Sequence, residues 1–144
     1  EVQVQFTPAR IRAWLPDEFS FSYFYNQLHK ENQGYISHYV LDNLRHKLVF
    51  TINKNLMKNI TLSFRALYQQ REGTYTLYRN NKWAQEMPYQ PFWLIDGQLK
   101  YRIKNFHLFV SATNVLDTSY FDHGNVAQPG RWLKAGISYK IVLN

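Results

Sequence analysis

The feature that most constrains this chain is a two-residue hydrophobic period that recurs along almost its whole length. Successive side chains of a strand point to opposite faces, so strict alternation marks a segment with one apolar and one polar face. From Phe19 to Gln27, Phe19, Phe21, Tyr23 and Tyr25 alternate with Ser20, Ser22, Phe24 and Asn26. Between Arg45 and Asn53, His46, Leu48, Phe50 and Ile52 oppose Lys47, Val49, Thr51 and Asn53. From Ile60 to Gln70, Ile60, Leu62, Phe64, Ala66 and Tyr68 oppose Thr61, Ser63, Arg65, Leu67 and Gln69. Trp93, Ile95, Leu99 and Tyr101 alternate with Leu94, Asp96, Gln98, Lys100 and Arg102, and Phe106, Leu108, Val110 and Ala112 with His107, Phe109, Ser111 and Thr113. Leu133, Ala135, Ile137, Tyr139 and Ile141 close the series against Lys134, Ser138 and Lys140, and Val2, Val4 and Phe6 add a strand at the start. The chain therefore reads as all-β with seven strands. No Pro/Gly/Ser-rich linker or shift in composition divides residues 1–144, which predicts a single unit.

Composition removes several other classes. With 4 Trp, 11 Tyr and 10 Phe the chain is too aromatic for a disordered segment. Without Cys it builds neither a disulfide scaffold nor a thiolate metal site. Mean hydropathy is −0.46, and no run approaches the roughly 18 apolar residues of a membrane-spanning helix. A membrane β-barrel survives that test, because its strands alternate. The opening Glu1-Val2-Gln3-Val4-Gln5 reads as strand rather than as a signal peptide, which expects either a mature start or a stretch of a longer protein.

The connections alternate in length. Asn53–Asn59 and Ile103–Asn105 read as short turns, and His29–Leu44, Arg71–Pro91 and Val115–Gly130 as long loops, while Thr7–Glu18 falls between. Long loops at one end and short turns at the other suit a transmembrane barrel. The competing fold is a soluble β-sandwich or lipocalin-like binding module, with Leu48, Phe50, Phe64 and Trp93 in its core. Three features favour the barrel. The strands approach the roughly 9–11 residues needed to cross a bilayer. Long charged groups (Lys47, Arg65, Lys100, Arg102, Lys134, Lys140) occupy the polar face, as a wet lumen tolerates. Aromatics gather towards strand ends at Tyr23, Tyr25, Trp93, Tyr101, Phe106 and Tyr139, where an interfacial girdle would lie. Leu48, Phe50, Leu62, Phe64, Leu99, Leu133 and Ile137 are then expected to face lipid. Seven strands do not close around a filled interior and leave two open edges, which expects a larger barrel or, less simply, pairing of two copies.

A family resemblance enters at the end of the chain. Phe106–Leu116 runs into Asn114-Val115-Leu116-Asp117-Thr118-Ser119-Tyr120, then a loop, Pro129-Gly130-Arg131, and a last alternating strand. This resembles the C-terminal end of a TonB-dependent outer-membrane receptor, whose pattern is Asn-Leu-Phe-Asp-x-x-Tyr, a loop, Pro-Gly-Arg and a final strand; here Val-Leu replaces Leu-Phe. Glu1–Phe6 is similar to the element that opens the last third of such barrels. The resemblance implies the last seven antiparallel strands of a 22-stranded barrel, closest in layout to the cobalamin-receptor branch. Family members usually end in an aromatic, whereas this chain ends Ile141-Val142-Leu143-Asn144, so either assembly tolerates that terminus or the true one lies beyond.

What the resemblance implies is transport, not catalysis: TonB-dependent uptake across the bacterial outer membrane of a bulky scarce solute such as siderophore-iron, haem or cobalamin. Its partners would be the remaining barrel strands and plug, TonB acting through the plug, lipopolysaccharide and outer-membrane lipid, and a surface lipoprotein. No cofactor is implied, although the transported ligand can carry a metal. Asn114, Leu116, Asp117, Tyr120, Pro129, Gly130 and Arg131 would be structural, with Arg131 at the outer interface or on a lipopolysaccharide phosphate.

Candidate ligand contacts are loop aromatics and histidines, because rings with polar tips hold flat macrocycles at low entropic cost. They are Tyr75, Tyr78, Trp83 and Tyr89 in the longest loop, His38 beside Tyr35 and Tyr39 in another, and Tyr120, Phe121 and His123 in the third. The bland alternative is that these rings pack on one another or face headgroups. His29, His38, His46, His107 and His123 show no spacing that makes a zinc site. The scattered carboxylates offer no pair with a nucleophile, so no catalytic constellation emerges. The formal charge of +7 invites a nucleic-acid reading, but aromatics and cations alternate onto opposite faces, whereas base stacking beside phosphates needs both on one.

Overall fold

The computed structural model describes residues 2–7, 15–27, 43–79, 82–122 and 126–141. Every element among them is a strand: β1 (Val2–Phe6), β2 (Glu18–Tyr25), β3 (Leu44–Met57), β4 (Ile60–Arg71), β5 (Thr74–Arg79), β6 (Lys82–Pro88), β7 (Phe92–Ile103), β8 (Phe106–Thr113) and β9 (Trp132–Tyr139). Seven form one sheet in the order β1-β2-β3-β4-β7-β8-β9, and β5 pairs only with β6. All pairings are antiparallel, and sheet neighbours follow chain order.

Two sequence expectations change. β3 does not stop at Asn53 but pairs onward through Asn55↔Thr61 and Met57↔Ile60, leaving Lys58-Asn59 as the turn. The ladder is made by backbone groups, so it continues past the point where apolar alternation ends. The stretch Arg71–Pro91, expected as a long loop, contains the β5–β6 hairpin. Thr74-Tyr75-Thr76-Leu77-Tyr78 is β-branched and aromatic, which favours strand, but Thr and Tyr blur the apolar/polar contrast that periodicity detects.

The register aligns the alternating residues of all seven strands. Phe21↔Phe50, Phe50↔Ala66 and Ala66↔Ile95 make one row, and Leu62↔Leu99, Leu99↔Val110 and Val110↔Ala135 another. Leu48, Phe50, Leu62, Phe64, Leu99, Leu133 and Ile137 thus share one face. Tyr23, Leu48, Tyr68 and Trp93 form a row near the long-loop end, with the Tyr68 and Trp93 rings 5.0 Å apart. Ile103, Phe106 and Tyr139 form a row near the short-turn end, where the rings of Phe106 and Tyr139 lie 4.7 Å apart. Trp93 and Ile103, one in each row, are ten positions apart on β7, about 33 Å along the strand, or about 25 Å along a barrel axis at a tilt of about 40°.

The face is uncovered. Phe64 is 37% exposed, Trp93 44%, Leu133 74% and Ile137 65%, and no large side chain among the described residues is fully buried. The sandwich alternative would bury Phe64 and Trp93 under a second sheet, and among the described residues β5–β6 is the only other sheet. On the opposite face Gln3, Ser22, Thr51, Gln98, Lys100 and Lys134 predominate, and the register partners Arg65 and Asp96 form an ion pair at 3.9 Å.

Candidate functional site

The loop motifs converge where β8 ends. Asn114 takes φ 49°, a left-handed conformation that Asn tolerates better than most residues, and is 5% exposed. Its Oδ1 accepts from the Thr118 N–H at 2.9 Å, and its Nδ2 donates to the carbonyls of Thr118 at 2.9 Å and Pro129 at 3.4 Å. One side chain therefore closes the start of the β8–β9 connection onto its end. Asp117, at φ 55°, accepts from the Arg131 N–H at 2.8 Å. Gly130 is required beside it, because a Cβ there would meet Asp117 Oδ1 at 2.7 Å. Two more bonds fix this knot to β7: Asn114 N–H to Asp96 Oδ1 at 3.0 Å and Thr118 Oγ1 to the Trp93 carbonyl at 3.1 Å. Asn114, Asp117, Pro129, Gly130 and Arg131 thus meet in one place, Arg131 through its backbone, while Leu116 is 59% exposed.

Beyond the knot the same connection folds back over the end of β4. Arg71 donates to Asp122 Oδ1 through Nε at 3.1 Å and Nη2 at 3.0 Å, and Gln69 donates to the same oxygen. This ties Phe121 against the hairpin and Tyr120 against the start of β7. Tyr75 lies 4.7 Å from Phe121 and 5.2 Å from Tyr89 between ring centroids, and Tyr120 lies 4.4 Å from Phe92. A cleft of about 420 Å³ opens between them, lined by Tyr75, Tyr89, Pro91, Phe92, Tyr120 and Phe121 among others.

Of the expected ligand contacts, Tyr75, Tyr89 and Tyr120 are brought together. His38, His123 and the side chains of Tyr78 and Trp83 lie outside the described residues, as do Tyr35 and Tyr39. Tyr75 packs on Tyr89 and Tyr120 on Phe92 rather than standing singly, and Tyr89 is 6% exposed, so a ligand would meet a preformed wall with phenol tips. Phe92 and the Gln69–Arg71–Asp122 tether were not singled out by the sequence. Phe92 sits at a strand end beside Pro91, and nothing in the pattern links Arg71 to a carboxylate 51 positions away. No group of three His, Asp or Glu side chains converges among the described residues.

Burial raises the pKa of Tyr120 above the ordinary phenol value of 10.0, and the negative charges of Asp122 and then Asp96 add to the shift. The folded state therefore holds the phenolic proton more tightly than the unfolded chain. This contribution to stability is intact below pH 10, and is lost as pH rises from there through the folded-state value. Cleavage within 117–130 by a broad-specificity alkaline protease is expected to accelerate in that window, trypsin being blind to a stretch without Lys or Arg. Tyr120→Phe should flatten the dependence; an equally steep rise in the variant would place the titration elsewhere.

No family model, no curated protein and no solved structure matches the chain.

Proposed function

We propose that this chain is the last seven strands of a TonB-dependent receptor barrel in the bacterial outer membrane, a non-enzymatic section of a transporter for a bulky scarce solute. The observation that carries the reading is the continuous apolar face of a single-layer sheet, uncovered along its length and edged by an aromatic row at each end. In water such a face costs on the order of 25 cal/mol for each Å² left exposed; against lipid tails it costs nothing. The spacing of the two rows, about 25 Å along a barrel axis, is comparable with the apolar band of about 25 Å around outer-membrane barrels.

Two further features support it. Among the described residues β1 and β9 pair on one side only, and the remaining strands of a closed barrel would satisfy their other side. The polar face carries Lys47, Arg65, Lys100 and Lys134, which suits a lumen filled by water and a plug, with TonB acting through that plug. The aromatic cleft would lie on the extracellular side among the long loops, where a siderophore, haem or cobalamin arrives and where lipopolysaccharide and a surface lipoprotein are within reach. Tyr75, Tyr120 and Phe121 are the residues we assign to ligand contact.

Fractionation tests the reading. The chain is expected to sediment with outer membranes and to run as part of a larger unit whose gel mobility changes on boiling. A free 17.3 kDa species in the aqueous fraction would overturn it.

A further inference from the structure

The short-turn end of the polar face carries a second concavity, of about 470 Å³, that is chemically unlike the aromatic cleft. Lys58, Lys100, Arg102 and His107 line it together with polar side chains such as Asn59 and Ser138. Arg102 and His107 are direct cross-strand partners, and Lys100 lies on the same face two positions away. One step beyond Ser138, the Lys140 N–H continues the ladder to the Asn105 carbonyl at 2.9 Å, so alternation sets Lys140 on this face too.

No carboxylate lines this groove. The described acids at this end are Asp17 and Glu18, both on the β2 side and both engaged. Asp17 lies 3.9 Å from Lys54 and accepts from the Asn55 N–H, and Glu18 accepts from Gln5 at 2.8 Å and Asn53 at 2.9 Å. Like charges on adjacent strands repel, so the sheet holds a positive field that an anion would relieve.

We propose that this groove docks an acidic polypeptide segment in extended conformation. The spacing of the cations selects the class. From β4 to β9 there are three strand intervals, about 14 Å, which is the length of four or five extended residues and too wide for one phosphate. The neutral lining of amides and hydroxyls suits peptide groups. A nucleic acid would need a free ring for its bases, but the Phe109 ring lies against β9, where a Cβ on Gly136 would come within 2.5 Å of it. The inference rests on the barrel reading only for what surrounds the groove: inside a lumen, the segment would belong to the plug.

The test is fluorescence anisotropy with labelled hexaglutamate on the full chain, purified in detergent together with whatever strands complete it. Lys100→Gln/Arg102→Gln is expected to weaken binding about tenfold, and Lys100→Arg/Arg102→Lys to restore it. Lys47→Gln/Lys134→Gln removes the same charge from the same face outside the groove and should leave binding within about twofold. Equal weakening by both glutamine pairs, absence of binding, or an oligo-dT that displaces the peptide and binds more tightly would overturn the proposal. Because the readout is taken in detergent, it fails or succeeds independently of the fractionation result.

Discussion

On the proposed barrel reading, Phe64→Arg is expected to keep the protein out of the outer membrane. Phe64 lies in the middle of β4, between Ile52 on β3 and Gly97 on β7, with its ring on the uncovered apolar face. Four positions separate it from Tyr68 in the aromatic row at one end and from Ile60 near the other. An arginine at that depth has no water within reach of its stem, and in outer-membrane barrels this costs roughly 2–4 kcal/mol. Against a total stability of about 5–15 kcal/mol, that is enough to divert assembly towards degradation. The adjacent Ser63 pairs with Asn53 and Gln98 on the polar face, so Ser63→Arg should cost about 0.5 kcal/mol or less. The measurement is the amount of heat-modifiable band in outer membranes for the two variants beside Phe64→Leu. Equal recovery of Phe64→Arg and Ser63→Arg would mean that this face does not meet lipid.

The second large effect is expected at Asn114. Asn114→Ala deletes three hydrogen bonds, strands the Thr118 N–H, and places a Cβ residue without a polar side chain at φ 49°. With about 1 kcal/mol for each net hydrogen bond and about 1 kcal/mol for the left-handed backbone, the loss is about 4 kcal/mol. Asn114→Gly loses the same hydrogen bonds but relieves the backbone part, and should recover about a quarter of it. Gly130→Ala attacks the same knot from the other side, by pushing Asp117 off the Arg131 N–H. Proteolysis of the 117–130 connection and thermal loss of the heat-modifiable band report the effect. If Asn114→Ala and Asn114→Gly match the parent in both, the knot does not hold the connection.

The legible part of this protein is the part governed by alternation. Phe19 through Tyr25, or Phe106 through Ala112, assign their own faces because a strand has only two, and the observed register joins those faces into one sheet on β1 to β4 and β7 to β9, shifting only at the two ends of β3. Where side chains stop alternating, the reading shortens. Lys54 and Asn55 looked like the start of a turn, yet their backbone groups stay in the ladder. The hairpin at Thr74–Pro88 escaped for the same reason, since its residues pair by backbone and pack by ring contacts.

The site divides in the same way. Asn114, Asp117, Pro129, Gly130 and Arg131 were marked by the resemblance, and the left-handed backbone at Asn114 and the close approach at Gly130 suit those residue types. That Asn114 should reach Pro129, or Arg71 reach Asp122, depends on how far the β8–β9 connection folds back, and no local rule sets that distance. The sequence by itself determined that the chain is built of strands with one apolar and one polar face, because side-chain period depends only on backbone geometry. The tertiary structure alone decided that the apolar face stays uncovered and that aromatics gather in a cleft at one end and cations in a groove at the other. Those properties depend on which strands become neighbours and at what height they pair.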